Sequence, residues 1–155
     1  MIVAEAVGVA LARLGVGYAF GVVGSGNFHV TNALVANGVR FVAARHEGGA
    51  VTMADAYARL SGPAGHTVGV VSVHQGPGLT NAMTGLTEAA KSATPLIVLA
   101  AQATAPGSNF WIDQDGLAAA VGAVPERVRS AATAVDDVVR AYRVALEGHA
   151  VVLNL

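Results

Sequence analysis

Apolar residues recur along this chain in two alternating patterns. From Val3 to Leu14 small and apolar side chains return at helical spacing and stop at Gly15, whereas YAFGVV (18–23) is an unbroken apolar run ending in Gly-Ser-Gly (24–26). This predicts a helix and then a strand. FHVTNALVAN (28–37) closes at Gly38 as a helix does, and RFVAA (40–44) follows as a buried strand. The alternation continues with a helix opening in ARHEGGAVTMADAYAR (44–59), a loop SGPAGH (61–66), a strand TVGVVSV (67–73), the turn HQGPG (74–78), a helix from about Leu79 to Lys91 and a strand PLIVLAA (95–101). Beyond a Gly/Pro loop come a helix over Asp115–Val121, a weak strand in ERVRSA (126–131), a helix over Val135–Leu146 and the strand AVVLNL (150–155).

Val/Ile/Leu runs without polar alternation belong to strands covered on both faces, and helices between such strands imply a parallel sheet. The expected fold is one three-layer α/β/α domain with a six-stranded parallel sheet, which 155 residues suit. The chain stops on its last strand without a closing helix, which predicts a domain cut from a longer protein; an independent small subunit is the other reading.

Composition adds an expectation about partners. The chain is 54% hydrophobic and only 12% charged, against a usual charged fraction of roughly a quarter, so part of its surface is expected to be covered. A net charge of −1 with scattered signs gives no basic stripe for nucleic acid and no cationic face for a membrane, and neither partner is expected. There is no cysteine, hence no disulfide or thiolate chemistry, and cytoplasm is the default location. The first residues carry Glu5 in an apolar run and no basic n-region, so they read as a helix rather than a signal peptide.

In parallel sheets ligands gather beyond the carboxyl ends of the strands, near the switch in strand order. Three loops of that kind, VVGSGN, RHEGG and HQGPG, are expected to converge. Neither GSG nor GPG opens a dinucleotide fingerprint, because His29 and Asn81 stand where the third glycine is needed. No phosphate-loop motif is present, and the five histidines lack metal-ligand spacing, so no metal site is expected on this chain. Glu47 has three readings: a carboxylate at the positive end of a helix, a surface ion pair with Arg45 or His46, or a functional acid. For the last, burial at a strand's carboxyl end favours the neutral acid, which can then donate a proton to a ligand nitrogen.

FGVVGSGNFHVTNAL, RFVAARHEGGAVTMADAYARLSG, VVSVHQGPGLTNAMTGLTEAAKSATPLIVLAAQ and AVVLNL together resemble the N-terminal pyrimidine-binding (Pyr) domain of thiamine diphosphate enzymes of the acetolactate synthase, pyruvate oxidase and benzoylformate decarboxylase superfamily. The block Arg45–Gly62, joined to Gly76-Pro77-Gly78 and Asn81, carries the likeness most specifically. The resemblance implies that Glu47 hydrogen-bonds N1′ of the cofactor's aminopyrimidine, so that the 4′-nitrogen removes the C2 proton of the thiazolium and a 2-oxo acid can be decarboxylated or joined to a second carbonyl. It places Val23 and Gly24 beside the pyrimidine, Pro77 in the loop that shapes the site and Asn81 near the start of its helix. Val23 departs from the pattern, in which proline often precedes the glycine.

Ser25 and His74 together resemble benzoylformate decarboxylase, where a serine and a histidine at these places contact the substrate. Ser25 could hydrogen-bond a substrate carboxylate or simply serve its turn. His74, an imidazole with an ordinary pKa of about 6.5, could exchange protons with the reacting groups or only bond backbone. Strand alternation predicts that Gln75 faces away. Gly48, Gly49, Ala50, Ala54 and Ala58, with Ala82, Gly85 and Ala89, allow close helix packing, either in the core or, as the resemblance implies, across a homodimer contact where the Pyr domain meets a diphosphate-binding domain. The G-D-G…N-N motif that holds the diphosphate and its Mg2+ is absent from this chain. The resemblance therefore implies half an active site, completed by a diphosphate-binding domain of the same or a partner chain, as in split-subunit enzymes such as sulfopyruvate decarboxylase. A Pyr-like binding module without catalysis is the alternative, and retained Glu47 argues against it.

Overall fold

The computed structural model describes residues 2–61 and 67–155. The SGPAGH loop lies, apart from Ser61, outside the described residues, as does Gly62 at the end of the Arg45–Gly62 block. Among the described residues helices and strands alternate as α1 (Val3–Arg13), β1 (Tyr18–Gly21), α2 (Phe28–Ala36), β2 (Arg40–Ala43), α3 (Glu47–Leu60), β3 (Gly69–Val73), α4 (Pro77–Asn81), α5 (Met83–Lys91), β4 (Leu96–Ala100), α6 (Gln114–Ala120), β5 (Val124–Arg127), α7 (Ala134–Leu146) and β6 (Ala150–Asn154). The six strands form one sheet in the order β2-β1-β3-β4-β6-β5, and every neighbouring pair is parallel.

The unbroken apolar runs are explained by cover on both sides. Alternate strand residues Val70, Ile97, Leu99, Val151 and Leu153 meet Val7 and Leu11 of α1, Leu34 of α2 and Val138 of α7. Their neighbours Val71, Val73, Val98 and Val152 meet Ala54 and Val51 of α3, Leu79 of α4, Leu86 of α5 and Ala118 of α6. Three layers result, as the sequence predicted, and each fully buried Val, Ile or Leu contributes about 1.5–3 kcal/mol. Small residues set the helix spacing within this chain. A Cβ on Gly8 would lie 2.5 Å from Cβ of Ala33, and one on Gly85 would lie 2.8 Å from Cβ of Val51, so α1 meets α2 and α3 meets α5 at glycines.

Several boundaries differ from the sequence reading. The helix expected from Leu79 to Lys91 begins at Pro77 and is broken at Ala82 into α4 and α5. β1 ends at Gly21 rather than Val23, because the Val22 carbonyl accepts from the Asn27 side chain instead of a neighbouring strand. β5 occupies Val124–Arg127, not 126–131, because the Arg129 N–H turns to the carboxylate of Asp137. Pro125 is tolerated there since β5 is an edge strand.

Candidate active site

The strand order creates the site. β1 lies between β2 and β3, so the chain leaves β1 in one direction and returns to its other side. Leu34 of α2 packs on one sheet face and Leu79 of α4 on the other, so the loops after β1 and β3 diverge and leave a crevice at the carboxyl ends of those strands. GSGN forms one lip and HQGPG the other.

Glycine lets the lips touch. A Cβ on Gly24 would stand 2.7 Å from Cδ2 of His74, and one on Gly26 would stand 2.7 Å from Nδ1 of the same ring and run into the Gln75 amide oxygen. Across this contact Ser25 Oγ lies 3.4 Å from His74 Nε2. The His74 ring also packs against the Phe110 ring, with centroids 5.0 Å apart, while its Nδ1 is buried without a hydrogen-bond partner among the described residues. Gln75 does not face away as expected. It lies beyond the end of β3, where strand alternation no longer governs, and its side chain crosses Gly26 beside His74.

The GSGN lip owes its shape to Asn27, a residue to which the sequence reading gave no role. Its Oδ1 accepts from the Gly24 N–H at 2.7 Å, and its Nδ2 donates to the Val22 carbonyl and to Ser72 Oγ, which also bonds Thr31 Oγ1. Asn27, Ser72 and Thr31 are all buried. The available signal was an asparagine between a glycine turn and an apolar helical run, a helix N-cap pattern.

Glu47 is the first residue of α3 and is only 8% exposed. His46 caps that helix, its Nδ1 accepting from the Gly48 N–H at 3.1 Å, so the cap does not require the Glu47 carboxylate. Glu47 enters no ion pair among the described residues. Its Oε2 accepts from Asn81 Nδ2 at 3.0 Å, across from the end of α4. The other oxygen, Oε1, stands over Gly78, where an added Cβ would come within 3.5 Å of it. Asn81 thus occupies one carboxyl oxygen, and Oε1 accepts no hydrogen bond among the described residues. Asn81 stands at the end of α4, not near its start, and its amide serves the acid. Pro77 is the first residue of α4, and Val23 is an exposed side chain beside Gly24. All three sequence-predicted loops therefore meet at one end of the sheet.

A family model described as "Thiamine pyrophosphate enzyme, N-terminal TPP binding domain" matches residues 1–128. The chain belongs to this family. The residues present fit the pyrimidine of thiamine diphosphate: one carboxyl oxygen is free of partners among the described residues, and Gly78 beside it and Gly24 and Gly26 against His74 keep side-chain bulk out of the lips. Among the described residues no group of three or more histidines and acids is placed to hold a metal ion.

Relatives of this thiamine diphosphate domain differ in what they do. It is 44% identical to 2-hydroxyacyl-CoA lyase 2 of Danio rerio over 61% of this chain and 15% of that protein. It is 42% identical to a Pseudomonas aeruginosa protein named "Probable 2-ketoarginine decarboxylase AruI" over 57% of this chain and 15% of that protein. It is 34% identical to the acetolactate synthase large subunit of Lactococcus lactis over 89% of this chain and 24% of that protein. The chain thus spans a quarter or less of the length of these relatives. No described helix is long and apolar enough to cross a membrane.

Proposed function

We propose that this chain is the pyrimidine-binding half of a thiamine diphosphate-dependent 2-oxo acid decarboxylase or carboligase, with Glu47 as the acid that activates the cofactor. The observation that carries the reading is the Glu47 carboxyl, buried at the head of α3, with Oε2 engaged by Asn81 and Oε1 turned to the glycine-lined crevice. When bound, thiamine diphosphate supplies an acidic carbon that becomes a nucleophile and a cationic ring that accepts the electron pair released by a departing carboxylate. Everything else falls to the protein. Glu47 would hold on Oε1 the proton that it presents to the pyrimidine. Val23 and Gly24 would border the pyrimidine, and Pro77 fixes the start of α4. Ser25 is placed to hydrogen-bond the substrate carboxylate, and His74 Nε2 beside it to pass a proton to or from the reacting carbonyl.

The diphosphate and its Mg2+ are held by a diphosphate-binding domain of the same chain or of a partner, and a homodimer built on the Pyr-domain helices brings the two halves together. Outer-face residues Thr52 on α3 and Thr84 and Glu88 on α5 are exposed in this chain and available to that contact. The proposal covers both one long chain and two subunits; the length of the parent reading frame decides between them.

The test is Glu47→Gln in the complete enzyme. The amide keeps the side chain's size but cannot share a proton in the same way. Bound cofactor should remain, while hydrogen–deuterium exchange at its C2, followed by NMR after acid quench, slows by about 10²–10⁴. Equal exchange in the two proteins would return Glu47 to a helix-end role.

A further inference from the structure

Gln114 is the first residue of α6 and is 1% exposed, an unusual place for an uncharged amide. The helix does not need it as a cap, since Asp113 accepts from the Gly116 N–H at 2.9 Å. Its polar atoms are spent elsewhere. Oε1 accepts from the Gly76 N–H at 3.2 Å, and Nε2 donates to Asn154 Oδ1 at 2.6 Å. Asn154, at the end of β6 and fully buried, donates in turn to Asp115 Oδ1 at 2.6 Å, and Asp115 Oδ2 is paired with Arg127 of β5 at 2.8 Å. A continuous hydrogen-bonded row thus runs from the sheet edge to the turn after β3.

Gly76 is where that row can exert control. Its backbone, at φ +60 and ψ −104, is open to glycine but not to other L residues, and an added Cβ would strike the Phe110 carbonyl. Its carbonyl accepts from the N–H groups of Leu79 and Thr80, the first turn of α4. Fixing Gly76 therefore fixes His74 two residues before it and α4 after it, and α4 carries Asn81 to Glu47.

We infer that Gln114, held by Asn154 and Asp115, is a positioning residue for both proton-handling groups of the site. This rests on the reading of Glu47 and His74 given above. With the amide removed, the Gly76 N–H is left buried without a partner and the turn can relax, moving His74 and the Asn81–Glu47 pair together.

The experiment uses the complete protein and three variants: Gln114→Met, which keeps length and removes both bonds; Asn154→Asp, which sets two carboxylates side by side; and Asn154→Asp with Asp115→Asn, which restores every donor–acceptor pair. The first readout is amide exchange of Gly76 in cofactor-free protein. Its protection should fall at least about 10-fold in the two single variants and recover in the double variant. The second is catalysis: kcat should fall about 10–100-fold in Gln114→Met and in Asn154→Asp with KM changed less than about 3-fold, and the Asn154→Asp loss should be recovered in the double variant. Unchanged Gly76 protection would overturn the inference, and so would lost protection with unchanged kcat. A kcat loss that follows only the amount of folded protein, tracked by urea denaturation, would overturn it as well. Glu47→Gln and His74→Ala are measured alongside; if both keep wild-type rates the functional reading fails, and the Gly76 exchange still reports separately on the clamp.

Discussion

At the scale of single residues, His74 illustrates how packing turns one ring nitrogen toward the crevice. Its Nδ1 is buried against Gly26 with no hydrogen-bond partner among the described residues, which leaves Nε2 as the ring nitrogen open to a ligand. That nitrogen faces Ser25 Oγ at the mouth of the crevice. On the proposed function, a group so placed would act on the substrate rather than on the deeper acid. His74→Ala in the complete enzyme should therefore lower 2-oxo acid turnover by about 10²–10⁴, while Glu47-dependent C2 exchange stays close to normal. Unchanged turnover, or a loss mirrored in C2 exchange, would leave His74 a structural or cofactor-placing role.

At the scale of elements, the joint between β5 and α7 is electrostatic. Asp137 of α7 is fully buried and bonded by the Arg129 backbone and guanidinium, by Arg140 and by Thr133. Burial alone would push its carboxyl up, but the bonds from Arg129, Arg140 and Thr133 outweigh that and hold it well below the usual carboxylate range. Arg140 is correspondingly pushed up, chiefly by its bonds to Glu126 and Asp137. A depressed carboxyl stabilises the fold fully above the unfolded value of about 3.9, and the contribution is lost as pH falls below it. Asp137→Asn should cost about 2–3 kcal/mol in urea denaturation at pH 7, less than a fully buried pair because both guanidinium groups keep some contact with water. The gap between wild type and variant should close as pH drops from about 4 toward 2; a gap independent of pH would mean that the carboxylate charge contributes nothing. The same joint explains what periodicity missed. ERVRSA reads as a strand by composition, but the partner that bends it away from the sheet sits on a helix further along, and spacing carries no trace of that pairing. By contrast β3, β4 and β6 were legible because burial on both faces writes itself directly into the residue types.

At the scale of the molecule, the site is open. Val23 and Phe28, which flank the first lip in sequence, and Phe110, which packs on His74 of the second, are exposed, as is Trp111 next to Phe110. One carboxyl contact and a partly apolar crevice offer a ligand about 4–5 kcal/mol, which corresponds to a dissociation constant of about 0.2–1 mM. Titration calorimetry of this chain alone with thiamine diphosphate and magnesium should find binding in that weak range; micromolar affinity would contradict the half-site. Glu47 was a candidate from its place at a strand's carboxyl end, and Ser25 and His74 from the family resemblance of their loops. The contacts that hold the site were not legible, since Asn81, though a candidate, lies 34 residues from Glu47 and Gln114 lies 38 from Gly76. Those pairings depend on strand order, which local pattern does not encode.

The place of β6 between β4 and β5 has a consequence for synthesis. As the chain leaves the ribosome, the first four strands can pair among themselves, but β5 emerges with no neighbour to receive it and must wait for a strand that comes later. Asn154 arrives on that same strand, so the amide row that reaches Gly76 is finished only when β6 slides into its slot. The turn bearing His74 is thus translated early and set late. An incomplete nascent chain can hold a well-formed partial sheet and still lack a working crevice.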